Sequence, residues 1–242
     1  MVAQQGFLPV HELCRQLGVS EATARRDLSA LEHEKKLRRT YGGAISKFDN
    51  RFPSFTERRN QSRRAKDKIA KAALSFIIPD STCYFDAGTT MFAIAEKFRA
   101  NPITPLKIVT SNIPVGELLA EIEGVQVFLL AGQLLSRQSV LLGETTRKSL
   151  EFWQFDLAFL SAEGMDSAGI WNSDASVVEQ QNVVLRRSAS SVFCLDASKL
   201  SHKALHFLIP WTKVGTLLTE VPRSRLQQAG IKIRAPQYRL AA

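Results

Sequence analysis

Leu17–Glu32 reads L-G-V-S-E-A-T-A-R-R-D-L-S-A-L-E, and Leu37–Ala44 reads L-R-R-T-Y-G-G-A. Val10 to Leu17 forms a short helix with Val10, Leu13 and Leu17 on one side. Gly18-Val19 breaks it, because glycine accepts the left-handed conformation of such a turn. Ser20 suits the N-cap of a second helix, running from Glu21 to about Lys35. Ala24, Leu28 and Leu31 recur at spacings of four and three and form one buried stripe. Helix, tight turn and capped helix make a helix-turn-helix. Ser20, Glu21, Thr23, Arg25 and Arg26 stay off the stripe near the start of the second helix, where a recognition helix meets base edges and phosphates. Arg26 with Asp27 has an alternative reading, a surface ion pair worth little. Leu37 to Ile45 then forms a hairpin through Gly42-Gly43, a wing that presents Arg38, Arg39 and Tyr41.

The charge agrees. The chain has 242 residues and a net charge of +9. Met1–Lys71 holds 16 Lys and Arg against 8 Asp and Glu, while Ala72–Ala242 holds 16 against 15. A basic module on a near-neutral body has two readings, a polyanionic partner or a solvated basic face. No stretch approaches the ~18 apolar residues of a membrane helix, and the N-terminus lacks a secretory signal, so no membrane partner and a cytoplasmic location are expected. Cys14, Cys83 and Cys194 are scattered and odd in number, neither a disulfide framework nor a zinc pattern. His202 and His206 would share one face only of a helix, and no other ligand stands nearby, so no metal and no cofactor are expected.

The spacing S-x-x-T-x-R-R-D-L with the later G-G-A resembles the winged helix-turn-helix of the DeoR family of bacterial regulators. Members carry a further helix before the place of Gly6, close to where this chain starts. The implied DNA module thus lacks its first helix, which leaves two readings: a start placed too far downstream, or a weakened module.

Ser46 to Arg64 is polar, basic and interrupted by Pro53, and reads as a linker anchored by Phe48, Phe52 and Phe55. The expected division is 1–46, a linker at 47–64, and a body at 65–242. The body opens with a helix, Lys66 to Ile78. Strands are expected at Thr82–Phe85, Ile108–Thr110, Val125–Leu130, Leu157–Ser161, Val192–Leu195 and Val214–Leu218. Helices are expected at Thr90–Phe98, Val115–Glu121, Thr145–Phe152, Val177–Ser188 and Ser224–Ala229. Such alternation makes an α/β domain with a mostly parallel sheet, whose ligands sit beyond the C-terminal strand ends.

Those ends carry the chemistry. Asp86-Ala87-Gly88-Thr89-Thr90 runs from strand into helix and has two readings: a plain turn with a threonine cap, or an anion site in which Gly88 admits close approach and Thr89 and Thr90 offer donors. Ser111, Asn112, Gly143, Gly164, Asp166 and Lys199 stand at other ends. Lys199 is suited to neutralise phosphate; Asp166 and Asn112 are suited to bind sugar hydroxyls.

D-A-G-T-T, T-S-N, the G-M-D turn and D-A-S-K resemble the effector domain of DeoR regulators, which is similar to ribose-5-phosphate isomerase. The resemblance implies a phosphosugar effector. It breaks at Gln180-Gln181-Asn182, where many members carry Val-Lys-Arg; at Gly132-Gln133, where many have Gly-Gly; and at Glu220, where many have Asp. The implied function is a repressor of double-stranded operator DNA controlled by a small phosphorylated metabolite, acting as a homo-oligomer. Two alternatives stand beside it: an isomerase-like enzyme using Asp86, Asp166 and Lys199 as acid–base groups, and a metabolite-binding protein that has lost DNA binding.

Overall fold

The computed structural model describes residues 7–34, 37–40, 43–46 and 53–242. The chain divides into two compact units, Met1–Pro53 and Ser54–Ala242.

In the first unit, β1 (Phe7–Pro9) leads into α1 (Val10–Leu17), α2 (Glu21–His33), β2 (Leu37–Thr40) and β3 (Gly43–Ser46). Gly18 takes φ 65°, and the Val19 N–H closes back onto Cys14 O at 3.3 Å, which ends α1 in a left-handed cap. The Ser20 hydroxyl accepts from Thr23 N at 3.2 Å and opens α2. Val10, Leu13, Ala24 and Leu28 are buried together. Leu17, expected on that stripe, is 54% exposed; Val19 in the turn packs against the cluster in its stead. The hairpin gains a third strand that the sequence reading left out. The sheet order is β1-β3-β2, with Phe7 opposite Ile45 and Arg38 opposite Ile45 on the other side. Lys35, Tyr41, Phe48 and Phe52 lie outside the described residues.

The second unit starts inside the expected linker. A capping box between Ser54 and Glu57 opens α3 (Phe55–Asn60), and Phe55 is buried edge-on against Phe92 at 5.6 Å. Next come α4 (Arg63–Ala73), β4 (Thr82–Phe85), α5 (Thr89–Ala100), β5 (Leu106–Thr110), α6 (Ile113–Ala120) and β6 (Val125–Leu129). The hairpin β7 (Gln133–Leu135) and β8 (Val140–Leu142) follows, then α7 (Glu144–Leu150), β9 (Phe155–Leu160), β10 (Gly164–Met165) and β11 (Gly169–Asn172). The chain closes with α8 (Ala175–Arg186), β12 (Ser188–Cys194), β13 (His206–Pro210), β14 (Thr216–Thr219), α9 (Arg223–Gln228) and β15 (Tyr238–Leu240).

Seven of these strands form one parallel sheet, ordered β15-β14-β12-β9-β4-β5-β6. Side-chain alternation divides the core between its faces. Cys83 and Phe85 join Ile69 of α4, Met91, Ile94 and Phe98 of α5, and Leu119 of α6. Tyr84 points the other way, to Leu150 of α7 and Val183 and Val184 of α8. Met91, Ile94, Ala95 and Phe98 keep the i, i+3, i+4, i+7 spacing of a core-facing helix, and each large member contributes about 1.5–3 kcal/mol.

The chain runs β4, β5, β6 toward one edge, then returns to lay β9 on the other side of β4. The order reverses between β4 and β9, the position at which open parallel sheets hold their ligands. Besides β1, the sequence reading left out β7, β8, β15 and the antiparallel sheet β10-β11-β13. These strands are two to five residues long and carry no clean period of two. It also expected a strand from Val214, but Trp211–Lys213 forms a short 3-10 turn and the strand begins at Thr216.

Candidate effector and DNA sites

Asp86 follows the last residue of β4, at the order reversal, and is 1% exposed. Its Oδ2 accepts from Ser161 N at 3.1 Å, from Ser161 Oγ at 3.4 Å and from Gln181 Nε2 at 2.7 Å. Burial pushes its carboxyl up to about 6 against these hydrogen bonds, because the low-dielectric interior disfavours the charged form. No described cation pairs with it.

Gly88, at φ 106°, caps the twelve-residue α5 without a side-chain hydrogen bond to its first N–H groups. Thr89 and Thr90 are buried beside it. Asn112 caps α6, and its Nδ2 donates to Gly88 O at 3.0 Å, tying the ends of β4 and β5 together. Ser111 Oγ accepts from Gln180 Nε2 at 2.8 Å, and the same amide donates to Tyr84 Oη at 2.8 Å. Burial raises the Tyr84 phenol, with the Asp86 charge adding to the effect, so it stays neutral. Asn172 Nδ2 donates to Gln181 Oε1 at 2.6 Å and orients that amide. Asp86, Gly88, Ser111 and Asn112 thus belong to two adjoining hydrogen-bonded groups, one around Asp86 and one around Gln180, completed by Tyr84, Ser161, Asn172, Gln180 and Gln181. The sequence reading missed the last five as site residues; only the break in resemblance at Gln180-Gln181 hinted at them.

Lys66 was missed as well. It is buried on α4 and donates to Arg58 O at 2.5 Å and Gln61 O at 2.7 Å. The Thr89 hydroxyl donates to the same Arg58 carbonyl at 3.4 Å, so Lys66 stands beside the α5 N-terminus. Burial lowers the Lys66 ammonium to about 8; Asp196 opposes this, and the neighbouring Lys199 and Arg58 cations reinforce it. Lys199 pairs with Glu163 at 3.4 Å.

Other expected residues have local occupations. Asp166 Oδ1 accepts from Ala168 N, Gly169 N and Trp171 Nε1 at 2.9, 3.2 and 2.8 Å, and so holds the β10–β11 turn. Gly164 lies against the His202 backbone, where any side chain would collide with the carbonyl. Gly143 caps α7 at φ 111° with open space around it. His202 sits in a turn and His206 on β13, so they share no helix face.

In the first unit, Arg25 pairs with Glu21 at 2.5 Å, and Thr23 shares a hydroxyl contact with Ser20 at 2.9 Å. Arg26 is exposed, and among the described residues it makes no ion pair with Asp27. Arg38 and Arg39 lie on β2.

The arrangement agrees with comparison to known proteins. A family model described as the DeoR C terminal sensor domain matches residues 61–221, and one described as a DeoR-like helix-turn-helix domain matches residues 1–48. The chain belongs to the DeoR family. Among its relatives, the glycerol-3-phosphate regulon repressor of Escherichia coli strain K12 is 28% identical, covering 92% of this chain and 88% of that protein. An uncharacterized HTH-type transcriptional regulator of Staphylococcus epidermidis is 31% identical, covering 82% and 79%. Ribose 5 phosphate isomerase A from Neisseria gonorrhoeae matches at a TM-score of 0.41 and 17% identity, covering 55% of this chain and 52% of that one. This DeoR-family chain is a DNA-binding transcriptional regulator that joins a winged helix-turn-helix to a parallel α/β sensor domain. No helix among its described residues is long and apolar enough to cross a membrane.

Proposed function

We propose that this DeoR regulator is a repressor, released from its operator when a phosphorylated sugar or related metabolite occupies the crevice between β4 and β9. The observation that carries this reading is the α5 N-terminus. It is uncapped by any side chain, is formed by Gly88, Thr89 and Thr90, and has the Lys66 ammonium beside it. A helix N-terminus with a neighbouring cation favours a phosphate, because free N–H groups and the helix dipole both meet negative charge. Asp86, Ser111 and Asn112 then face the rest of the metabolite. The name of the glycerol-3-phosphate regulon repressor supports a phosphorylated effector. Two of the three groups that the acid–base alternative needs are occupied, Asp166 by its own turn and Lys199 by Glu163.

In the first unit, Ser20, Thr23, Arg25 and Arg26 contact the major groove, and Arg38, Arg39 and Tyr41 the neighbouring backbone. Two recognition helices are needed to read a palindromic operator, so the active species is a homodimer or larger even assembly. Effector binding shifts the balance between DNA-competent and DNA-incompetent assemblies through unequal affinity for the two.

Fluorescence anisotropy of the full chain on DNA from upstream of its own gene tests the reading, across a salt series and a phosphosugar panel. Binding should weaken with a log–log salt slope near −0.9 per phosphate contact, and one phosphosugar should release it. Pentose-phosphate isomerisation by the purified chain would establish the enzyme instead.

A further inference from the structure

Four buried side-chain polar atoms have no hydrogen-bond partner among the described residues, and two of them, Asp86 Oδ1 and Gln180 Oε1, lie in the network at the carboxyl ends of β4 and β5. Both residues are at least 98% buried, with 1% and 2% of their surface exposed. The neighbouring atoms show why these two are left over. Asp86 Oδ2 already takes Ser161 and Gln181. The Gln180 amide nitrogen is spent on Tyr84 and Ser111, which turns its carbonyl the other way. The Gln181 amide nitrogen serves Asp86 and Ser161 O. Every donor of the two glutamines is committed inside the protein, and what remains is a pair of acceptors, one of them charged.

A buried acceptor without a donor is unfavourable, and a buried carboxylate oxygen more so. We infer that the Asp86 and Gln180 acceptors are completed by the effector, which meets them with a hydrogen-bond donor, hydroxyl or ammonium, and never with a carboxylate. The inference rests on the phosphosugar reading above and narrows it. Lys66 and the α5 N-terminus take the anion, while the Asp86 end repels one. Asp86 has no cation beside it because Gln181, an uncharged amide, holds the position nearest its Oδ2. A ligand carboxylate there would meet a like charge in low dielectric, with no proton to offer either acceptor.

Calorimetric titration of the full chain with matched phosphates tests this. Glycerol 3-phosphate and glucitol 6-phosphate carry a terminal hydroxyl; 3-phosphoglycerate and 6-phosphogluconate carry a carboxylate in its place; 1-amino-1-deoxyglucitol 6-phosphate carries an ammonium. In at least one chain length, the hydroxyl or ammonium form should bind at least about tenfold more tightly than its carboxylate partner. An ammonium form that binds tighter than the hydroxyl form assigns the donor as a cation; the reverse assigns it as a hydroxyl. The variant Asp86→Asn presents an amide N–H₂ where Oδ1 stood, so the ratio should collapse or invert; retained tryptophan fluorescence checks that it is folded. Carboxylate forms that bind as well as their partners overturn the inference and leave the phosphosugar reading intact. A ratio unchanged by Asp86→Asn overturns the assignment to Asp86. If no phosphate on the panel binds, the phosphosugar reading falls, and this inference with it.

Discussion

Replacing Asp86 by Asn should make the effector-free sensor domain more stable at neutral pH, and the gain should depend on pH in a defined way. The wild-type carboxyl rises from 3.8 to about 6 on folding, chiefly through burial. At 1.36 kcal/mol per pH unit, ionised Asp86 holds back about 3 kcal/mol of folding free energy, an upper figure since relaxation reduces it. The sign follows from proton counts. Between pH 3.8 and 6 the folded chain binds more protons at this site than the unfolded chain does. The stability that Asp86 contributes is therefore full below 3.8 and is lost as pH rises through 6. The asparagine does not titrate. The difference between variant and wild type should accordingly grow from pH 4 to pH 6 and stay level above, toward pH 8. Its amide oxygen can still accept from Ser161 and Gln181, so the network survives. All three tryptophans, Trp153, Trp171 and Trp211, lie in this domain, so their fluorescence in denaturant series at stepped pH reports its unfolding. A flat difference across pH 4–8, or a variant less stable than wild type at pH 7.5, would refute the account of Asp86 as a buried, uncompensated charge.

Arg26→Ala should weaken operator binding by about 1–3 kcal/mol, with helical circular dichroism unchanged; equal operator affinity would remove Arg26 from the interface. Gly88→Val forces a β-branched residue to φ 106° and brings its Cβ to 3.1 Å from Ser161 Oγ. It should destabilise the sensor by about 1–3 kcal/mol and abolish the phosphosugar response while DNA binding persists; an intact response would place the phosphate elsewhere. Lys66→Met leaves the Arg58 and Gln61 carbonyls without their donor but also removes a buried charge, so its pH dependence is the readout. Because Lys66 falls from 10.5 to about 8 on folding, the unfolded chain binds more protons between those values. Wild-type stability relative to Lys66→Met should thus rise over pH 8–10.5, and a fall in that window would contradict its burial.

What was legible in the sequence was local. Ser20 is read as a cap because its partner, Thr23, is three residues away. Gly88 and the two threonines make the strand-to-helix turn within three consecutive positions. The stripe Met91, Ile94, Ala95, Phe98 gives helix period and buried face together. Leu17 followed the same rule and failed, since periodicity reports which residues share a face, not how far that face is covered. Asp166 looked like a ligand group because an acidic residue at a strand end has the same local signature whether it faces a ligand or closes its own turn.

The sequence alone determined that a basic helix-turn-helix precedes a parallel α/β body, and that D-A-G-T-T opens its first crossover helix, because caps, turns and side-chain period act over a few residues. Only the tertiary structure decided the character of the crevice. Gln180 reaches Tyr84 across 96 positions and Gln181 reaches Asp86 across 95, so no local pattern contains either pair. The fold brings α8 over the carboxyl end of β4, commits both amide nitrogens there, and leaves Asp86 Oδ1 and Gln180 Oε1 as acceptors. Hydrogen bonds are short-ranged and directional, and which donors are already spent is settled only when distant strand ends meet.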